Sequence, residues 1–383
     1  MTARSLVAAG ACAVLVPLIS SMAPFIDPPS TPAIQARVAA KAPVRQAASD
    51  LPVRSARLET RSAASGLSPA IDAVMRAEQG PAWLAWRVDK VPSRDGRRER
   101  WGNDDFSRCV LDDDGEMNGS PGISGDTRRL VVLARIEARA VTRVTFTDER
   151  CTVDAGQRPV YWMADVAPAQ SVEWLAARVR EWAADADATK DDSRGRVRAG
   201  KGALPALALH ADPAAGRALE SFVAVGQPHK LRKDAAFWLG AARADSALPL
   251  LTRLAREDAD DRFREHLTFV LTLPGDAGID TLLEMARRDS SSKVRGQALF
   301  WLGQKAGARA VAALDAAASD DPDSDVRKKA VFAISQLPKD EGVPKLIALA
   351  RTHRDREVRK QAMFWLGQSG DERALAFFAD VLK

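Results

Sequence analysis

Five segments of the chain repeat one alternation of apolar and polar positions. They read KLRKDAAFWLG (230–240), RFREHLTFVLT (262–272), KVRGQALFWLG (293–303), DVRKKAVFAIS (325–335) and EVRKQAMFWLG (357–367). Aligned on the apolar residue before the recurrent arginine, their anchors are Leu231, Phe263, Val294, Val326 and Val358, spaced 32, 31, 32 and 32 residues apart. A fixed period in this range marks a solenoid, in which each unit buries its apolar face only against its neighbours.

Within a unit the pattern predicts two helices. The first starts after Asp260, Ser291, Asp323 or Asp355, residues whose side chains cap helix N-termini; Pro228 departs from this in the first full unit. Gly240, Gly303 and Gly367 are expected to end it in a left-handed cap. Second helices carry the stripes Ala247, Leu250, Leu251, Leu254; Ile279, Leu282, Leu283, Ala286; and Val343, Leu346, Ile347, Ala350. At about 100° per residue, Val358, Ala362, Trp365 and Leu366 share one face of the last first helix. Each unit also places a phenylalanine on the opposite side: Phe237, Phe269, Phe300, Phe332 and Phe364. Two uses stand open for this ladder: filling gaps between adjacent repeats, or forming an apolar strip for a partner. The recurrent Arg232, Arg264, Arg295, Arg327 and Arg359 are expected to fix repeat geometry by pairing with acidic turns such as 258–261 and 320–325.

Upstream the period changes. Residues 83–91 and 128–149 read as strands, the second stretch folding into a hairpin near 137–140, and 159–163 as another strand. Helices are expected from Ser68–Pro69 and from about Ser171, the latter with Val172, Leu175, Val179 and Trp182 on one face. Most of the nine Trp fall in this part and are expected in its core. The resulting organisation is mainly α: a flexible linker (24–66), a small α+β domain (67–190), a second linker (191–202) and an α-solenoid (203–383) with one degenerate and five recognisable repeats.

Composition adds an address. Residues 1–23 carry one Arg, an apolar run from Leu6 to Ile19 and small residues at Ser21 and Ala23, which reads as a secretory signal peptide and predicts a periplasmic or secreted protein. That run is shorter than the ~20 residues of a spanning helix, so the mature chain is expected to lack a membrane span. After its removal Cys109 and Cys151 remain, and in an oxidising compartment they are expected to pair. A net charge of +5 over 56 basic and 51 acidic residues is too mild for a dense nucleic-acid footprint.

The VR…A..LG signature in two-helix units of about 32 residues resembles the HEAT-like repeats of the phycobilisome-lyase type, over 231–383. With the Trp-rich, strand-containing segment and signal peptide, RGQALFWLGQKAG and RKQAMFWLGQSGD resemble exported bacterial HEAT-repeat proteins. The resemblance implies a HEAT-like α-solenoid with a curved protein-binding surface. HEAT-type deoxyhypusine hydroxylases hold two irons with His-Glu pairs, whereas the four His here (His210, His229, His266, His353) include no His-Glu dipeptide, and Glu265-His266 is reversed. No metal or cofactor is therefore expected. Bilin lyases of this class act on intracellular antenna proteins, which an exported chain does not meet. The loop 110–121 misses a calcium motif, having Val110 and Pro121 where ligands belong.

These features support three readings. The first is a non-enzymatic scaffold that binds another protein. The second is an enzyme with its site in the N-terminal module, around 112–116, and the third a nucleic-acid-binding basic solenoid face. Self-association through the last helix is expected from Phe377 and Phe378.

Overall fold

The computed structural model describes residues 53–55, 57–92, 109–111, 127–184 and 191–382. Residues 1–23, expected as a signal peptide, residues 24–52, the acidic loop 112–126 and Trp101 lie outside the described residues. Gln46–Lys383 form one compact unit.

The first layer of this unit is a five-stranded sheet of β2 (Arg57–Ser62), β3 (Ala82–Asp89), β5 (Arg129–Glu137), β6 (Ala140–Asp148) and β8 (Pro159–Ala164), in the order β2-β8-β3-β5-β6. β2, β8 and β3 run parallel, and β5 and β6 continue antiparallel. The β5–β6 hairpin turns at Ala138 and Arg139, both with positive φ (48° and 62°), as the twist of a two-residue connection demands. β1 (Val53–Arg54), β7 (Val153–Asp154) and β4 (Cys109–Val110) form a small parallel sheet. Alternation with period two sends Leu84, Trp86, Val88, Leu130 and Val132 into the main core, and Trp83, Ala85, Val131 and Leu133 into a second cluster with Val53, Cys151 and Val153.

Helices cover the first of these faces. α1 (Leu67–Ala77) begins two residues before Pro69, with Gly66 rather than Ser68 at its N-cap. α2 (Pro168–Ala184) buries Val172, Leu175, Val179 and Trp182 together with Trp174, whose ring meets Trp86 edge-on at 5.2 Å. The Trp86 indole N–H donates to Ser171 Oγ at 2.9 Å, so the buried donor is satisfied.

Residues 191–202, expected as a linker, belong to α3 (Asp191–Leu209). Their glycines serve packing: a Cβ on Gly202 would stand 1.7 Å from the Val144 carbonyl oxygen of β6. The linker expected over 24–66 likewise contains β1 and β2. Sheet and solenoid therefore share one interior, and a single cluster of buried residues runs from Ala63 to Phe377.

The solenoid continues as α4 (Pro213–Phe222), α5 (His229–Ala242), α6 (Ala244–Glu257), α7 (Asp261–Val270), α8 (Asp276–Arg288), α9 (Ser292–Lys305), α10 (Val311–Asp320), α11 (Ser324–Ser335), α12 (Lys339–Thr352), α13 (Arg356–Gln368) and α14 (Glu372–Val381). Asp260, Asp323 and Asp355 cap α7, α11 and α13 through their side chains, whereas Ser291 sits at the N-cap of α9 without doing so. The mainly α architecture, with a C-terminal helical repeat region behind a small α/β region, is the one the repeat pattern predicts.

The expected glycine caps are corrected. Gly240 and Gly303 lie inside α5 and α9, and neither has positive φ. Their Cβ atoms would meet Val270 Cγ1 and the Ala333 carbonyl oxygen, both at 2.8 Å. Glycine is there because the next repeat's first helix comes too close for a side chain. Gly367, at the same position in α13, meets nothing within 4 Å.

Candidate binding surface

Each first helix presents two recurrent features, the arginine in its first turn and the aromatic residues near its end. The arginines are consumed internally. Arg264 grips Asp289 with Nε and Nη2, both at 2.9 Å, while Nη1 donates to the Asp258 carbonyl at 2.6 Å. Arg295 does the same with Asp321 (2.8 and 2.9 Å) and the Asp289 carbonyl (2.9 Å). Arg232 donates to Asp258 and to the Val223 carbonyl, and stacks its guanidinium 3.9 Å from the centre of the Phe263 ring. The carboxylate of Asp289 raises the Arg264 pKa through this hydrogen-bonded pairing, and Asp321 does so for Arg295.

The fourth unit breaks the rule. Where its predecessors have Asp258, Asp289 and Asp321 closing the second helix, it has His353. Arg327 turns instead to the N-cap Asp355, at 2.6 Å, and that ion pair together with the cap holds the Asp355 carboxyl below its ordinary range. Arg359 donates to the carbonyls of His353 and Arg354 (2.6 and 3.1 Å) and has no carboxylate partner among the described residues.

The aromatic residues form a different kind of row. Phe237 stacks on Phe269 (centroids 6.2 Å, planes 9° apart), Phe269 meets Trp301 at 5.1 Å, Phe300 stacks on Phe332 (6.0 Å, 7°), and Phe332 meets Trp365 at 4.9 Å. Within α5, α9 and α13 each Phe also meets its own Trp238, Trp301 or Trp365 edge-on at 5.0 to 5.3 Å. Eight rings thus touch in sequence along five repeats. All are half-buried except Phe364, which is 54% exposed. Both uses left open by the pattern coexist: the rings fill inter-repeat space and keep one side in solvent.

Trp365, placed on the packing face by helix periodicity, belongs to this row, whereas Val358, Ala362 and Leu366 are buried. The signal for the tryptophans is a doubled period. Trp238, Trp301 and Trp365 alternate with the smaller Val270 and Ala333, so each bulky helix abuts a slim one.

The other sequence-predicted groups do not converge. His266 Nε2 lies 3.0 Å from the Lys233 carbonyl and its ring 6.3 Å from Phe269; burial pushes its pKa down to about 4. His210, also pushed by burial to about 4, accepts from the Asp212 N–H through Nδ1 at 3.1 Å. Among the described residues no cluster of His, Cys, Asp or Glu could hold a metal ion, and no helix is long and apolar enough to cross a membrane. A groove of 520 Å³ between α10 and α12 is lined by Asp315, Lys345, His353 and Arg354, but Lys345 pairs with Asp315 and Arg354 with Asp320. Cys151 is buried, and β4 sets the backbone of Cys109 beside Val153. The loop 112–116 lies outside the described residues. Phe377 is buried and Phe378 half-buried, so the large apolar residues exposed on α14 and at its C-cap are Leu375, Val381 and Leu382 instead.

Comparison with known proteins agrees with the fold. Residues 279–352 and 316–383 match the family model of HEAT repeats. No curated protein matches the chain. Similar solved structures include human deoxyhypusine hydroxylase in complex with glycerol (18% identity, 54% of this chain, 81% of that chain, TM-score 0.28). Another is the Escherichia coli protein YibA (19%, 56% and 80%, 0.34). A third is the complex of CpcE and CpcF of phycocyanin lyase from Nostoc sp. PCC7120 (20%, 56% and 81%, 0.27). Superpositions this loose locate no site; the C-terminal part of the chain is a helical repeat region, of which residues 279–383 match HEAT repeats.

Proposed function

We propose that the protein is a non-enzymatic, exported scaffold whose aromatic row receives another protein. The observation that carries this reading is the contiguity of the rings. Eight half-open aromatic side chains in contact across five repeats make an apolar strip longer than packing between neighbours requires. Aromatic residues on a rigid backbone give a partner large contact area at small entropic cost. The arginines, by contrast, already have their partners inside the fold. Export rests on the Leu6–Ile19 run and its flanks. A Cys109–Cys151 disulfide belongs to the same reading, favoured by the burial of Cys151 and the β4–β7 pairing.

The test places a photo-crosslinking phenylalanine analogue at Phe300, and at Glu284 on α8 as a control, in the full chain in periplasm. Proteins captured from position 300 and absent from 284 are expected. Equal capture from both positions, or none from 300, sinks the reading.

A further inference from the structure

The repeat-to-repeat contact obeys an alternation that stops at α13. In α5 and α9 the Phe stacks face to face on the Phe of the next first helix, and the glycine three residues on meets that helix's Val270 or Ala333. α13 carries the same Phe and Gly, yet Phe364 is 54% exposed and Gly367 looks into open space. Beside it α14 exposes Leu375 and Leu382, at 67% and 85%, and Val381. Four of the five large apolar side chains that stand exposed among the described residues lie on these two helices and the residue that closes α14; the fifth is Val225.

Charge says what fits there. α13 carries Arg356, Arg359 and Lys360 against Glu357, a net +2, while α14 with its N-cap carries Asp371, Glu372 and Asp380 against Arg373, a net −2; Asp371 pairs with Arg373 and Asp380 with Arg351, which leaves Glu372 as the carboxylate without an ion pair among the described residues. The face is therefore a basic helix beside an acidic one, each with exposed apolar side chains. Such a face is complementary to its own copy under a twofold axis running between the two helices, which lays each α13 on the other copy's α14. The arrangement also offers a carboxylate to Arg359, the one ladder arginine whose guanidinium lacks an acidic partner among the described residues.

We propose that the face of α13 and α14 is an interface between two copies of this chain, packed isologously with α13 of each against α14 of the other. It continues the contact that already joins the repeats: Phe364 enters the opposite copy's Leu375, Val381 and Leu382, and Gly367 lets the opposing helix approach.

Sedimentation equilibrium of the full chain from 0.5 to 200 μM, at low and high salt, tests this. The expected result is a monomer–dimer equilibrium that weakens at least tenfold in Gly367→Leu and in Phe364→Lys, and weakens with salt in the unaltered chain. Nothing surrounds position 367 in the single chain, so Gly367→Leu is expected to keep its melting temperature, which separates a blocked interface from a damaged fold. A chain that stays monomeric throughout the range overturns the proposal. So does a dimer whose affinity neither variant changes.

Discussion

The two ends of the repeat array use the same residue types to opposite effect. At the entry end, Gly202 lets α3 lie against β6 and Arg232 is sealed between Asp258, Val223 and Phe263. At the far end, Gly367 faces open space and Arg359 binds only carbonyls. Recurrence in the sequence thus marks a capacity for contact; whether the contact is made depends on the neighbour.

The contrast can be broken at several points. The largest effect is expected from Gly202→Ala, because a methyl group cannot share space with a backbone carbonyl: the loss should exceed about 5 kcal/mol, beyond the range of ordinary overpacking. Urea denaturation measures it, and a cost within that range would mean that α3 does not approach β6 so closely. Arg232→Ala comes next, at about 3–5 kcal/mol, since Asp258 would be left buried and unpaired. The same assay sets it against Arg359→Ala at the far end.

Acid provides the third test. His210 is buried and its pKa is lowered by burial from 6.5 to about 4. The unfolded chain therefore takes up a proton between these values that the folded chain refuses, so stability is complete above pH 6.5 and falls as the pH drops toward 4. The loss from this group amounts to about 3 kcal/mol at most. Urea midpoints recorded from pH 7 to pH 4 should show a slope that His210→Asn reduces, Asn keeping an acceptor for the Asp212 N–H. An unchanged slope would assign the acid sensitivity elsewhere.

Phe332→Ala should cost about 1–2 kcal/mol, removing a half-buried ring and its two aromatic contacts. Arg359→Ala, measured in dilute solution, is expected to cost only about 1 kcal/mol, since it removes hydrogen bonds to two carbonyls and leaves no buried carboxylate behind. A loss at Arg359 equal to that at Arg232 would erase the distinction between the ends.

The period was legible because every unit must solve the same packing problem, so Leu231, Phe263, Val294, Val326 and Val358 recur and all are buried. α3 was not, since its glycines and charges resemble a linker until β6 is set beside them. Gly303 illustrates a subtler limit: a helix cap and a close helix contact both ask for glycine near a helix end, and only the backbone angle and the neighbour distinguish them. The aromatic row was half legible. The phenylalanines stood out by register, whereas the tryptophans matched the packing face by helix angle and showed their role only where rings of adjacent repeats met. His353 stands where the earlier units have aspartate, but that position gained its meaning only once the structure showed Arg327 turning to Asp355 instead.

The arginine row has a mechanical consequence. Its rigid forks tie the first turn of each first helix to the C-caps of the second helices before and after it with directional bonds of fixed length, as Arg264 does with the Asp258 carbonyl and the Asp289 carboxylate, and Arg295 with the Asp289 carbonyl and the Asp321 carboxylate. The rings near the other ends of those helices touch through non-directional contacts that tolerate sliding. The array is therefore stiff against stretching along the arginine edge and compliant along the aromatic edge. A load that flexes it will pivot on the ion pairs and open or close the rings like the pages of a bound book.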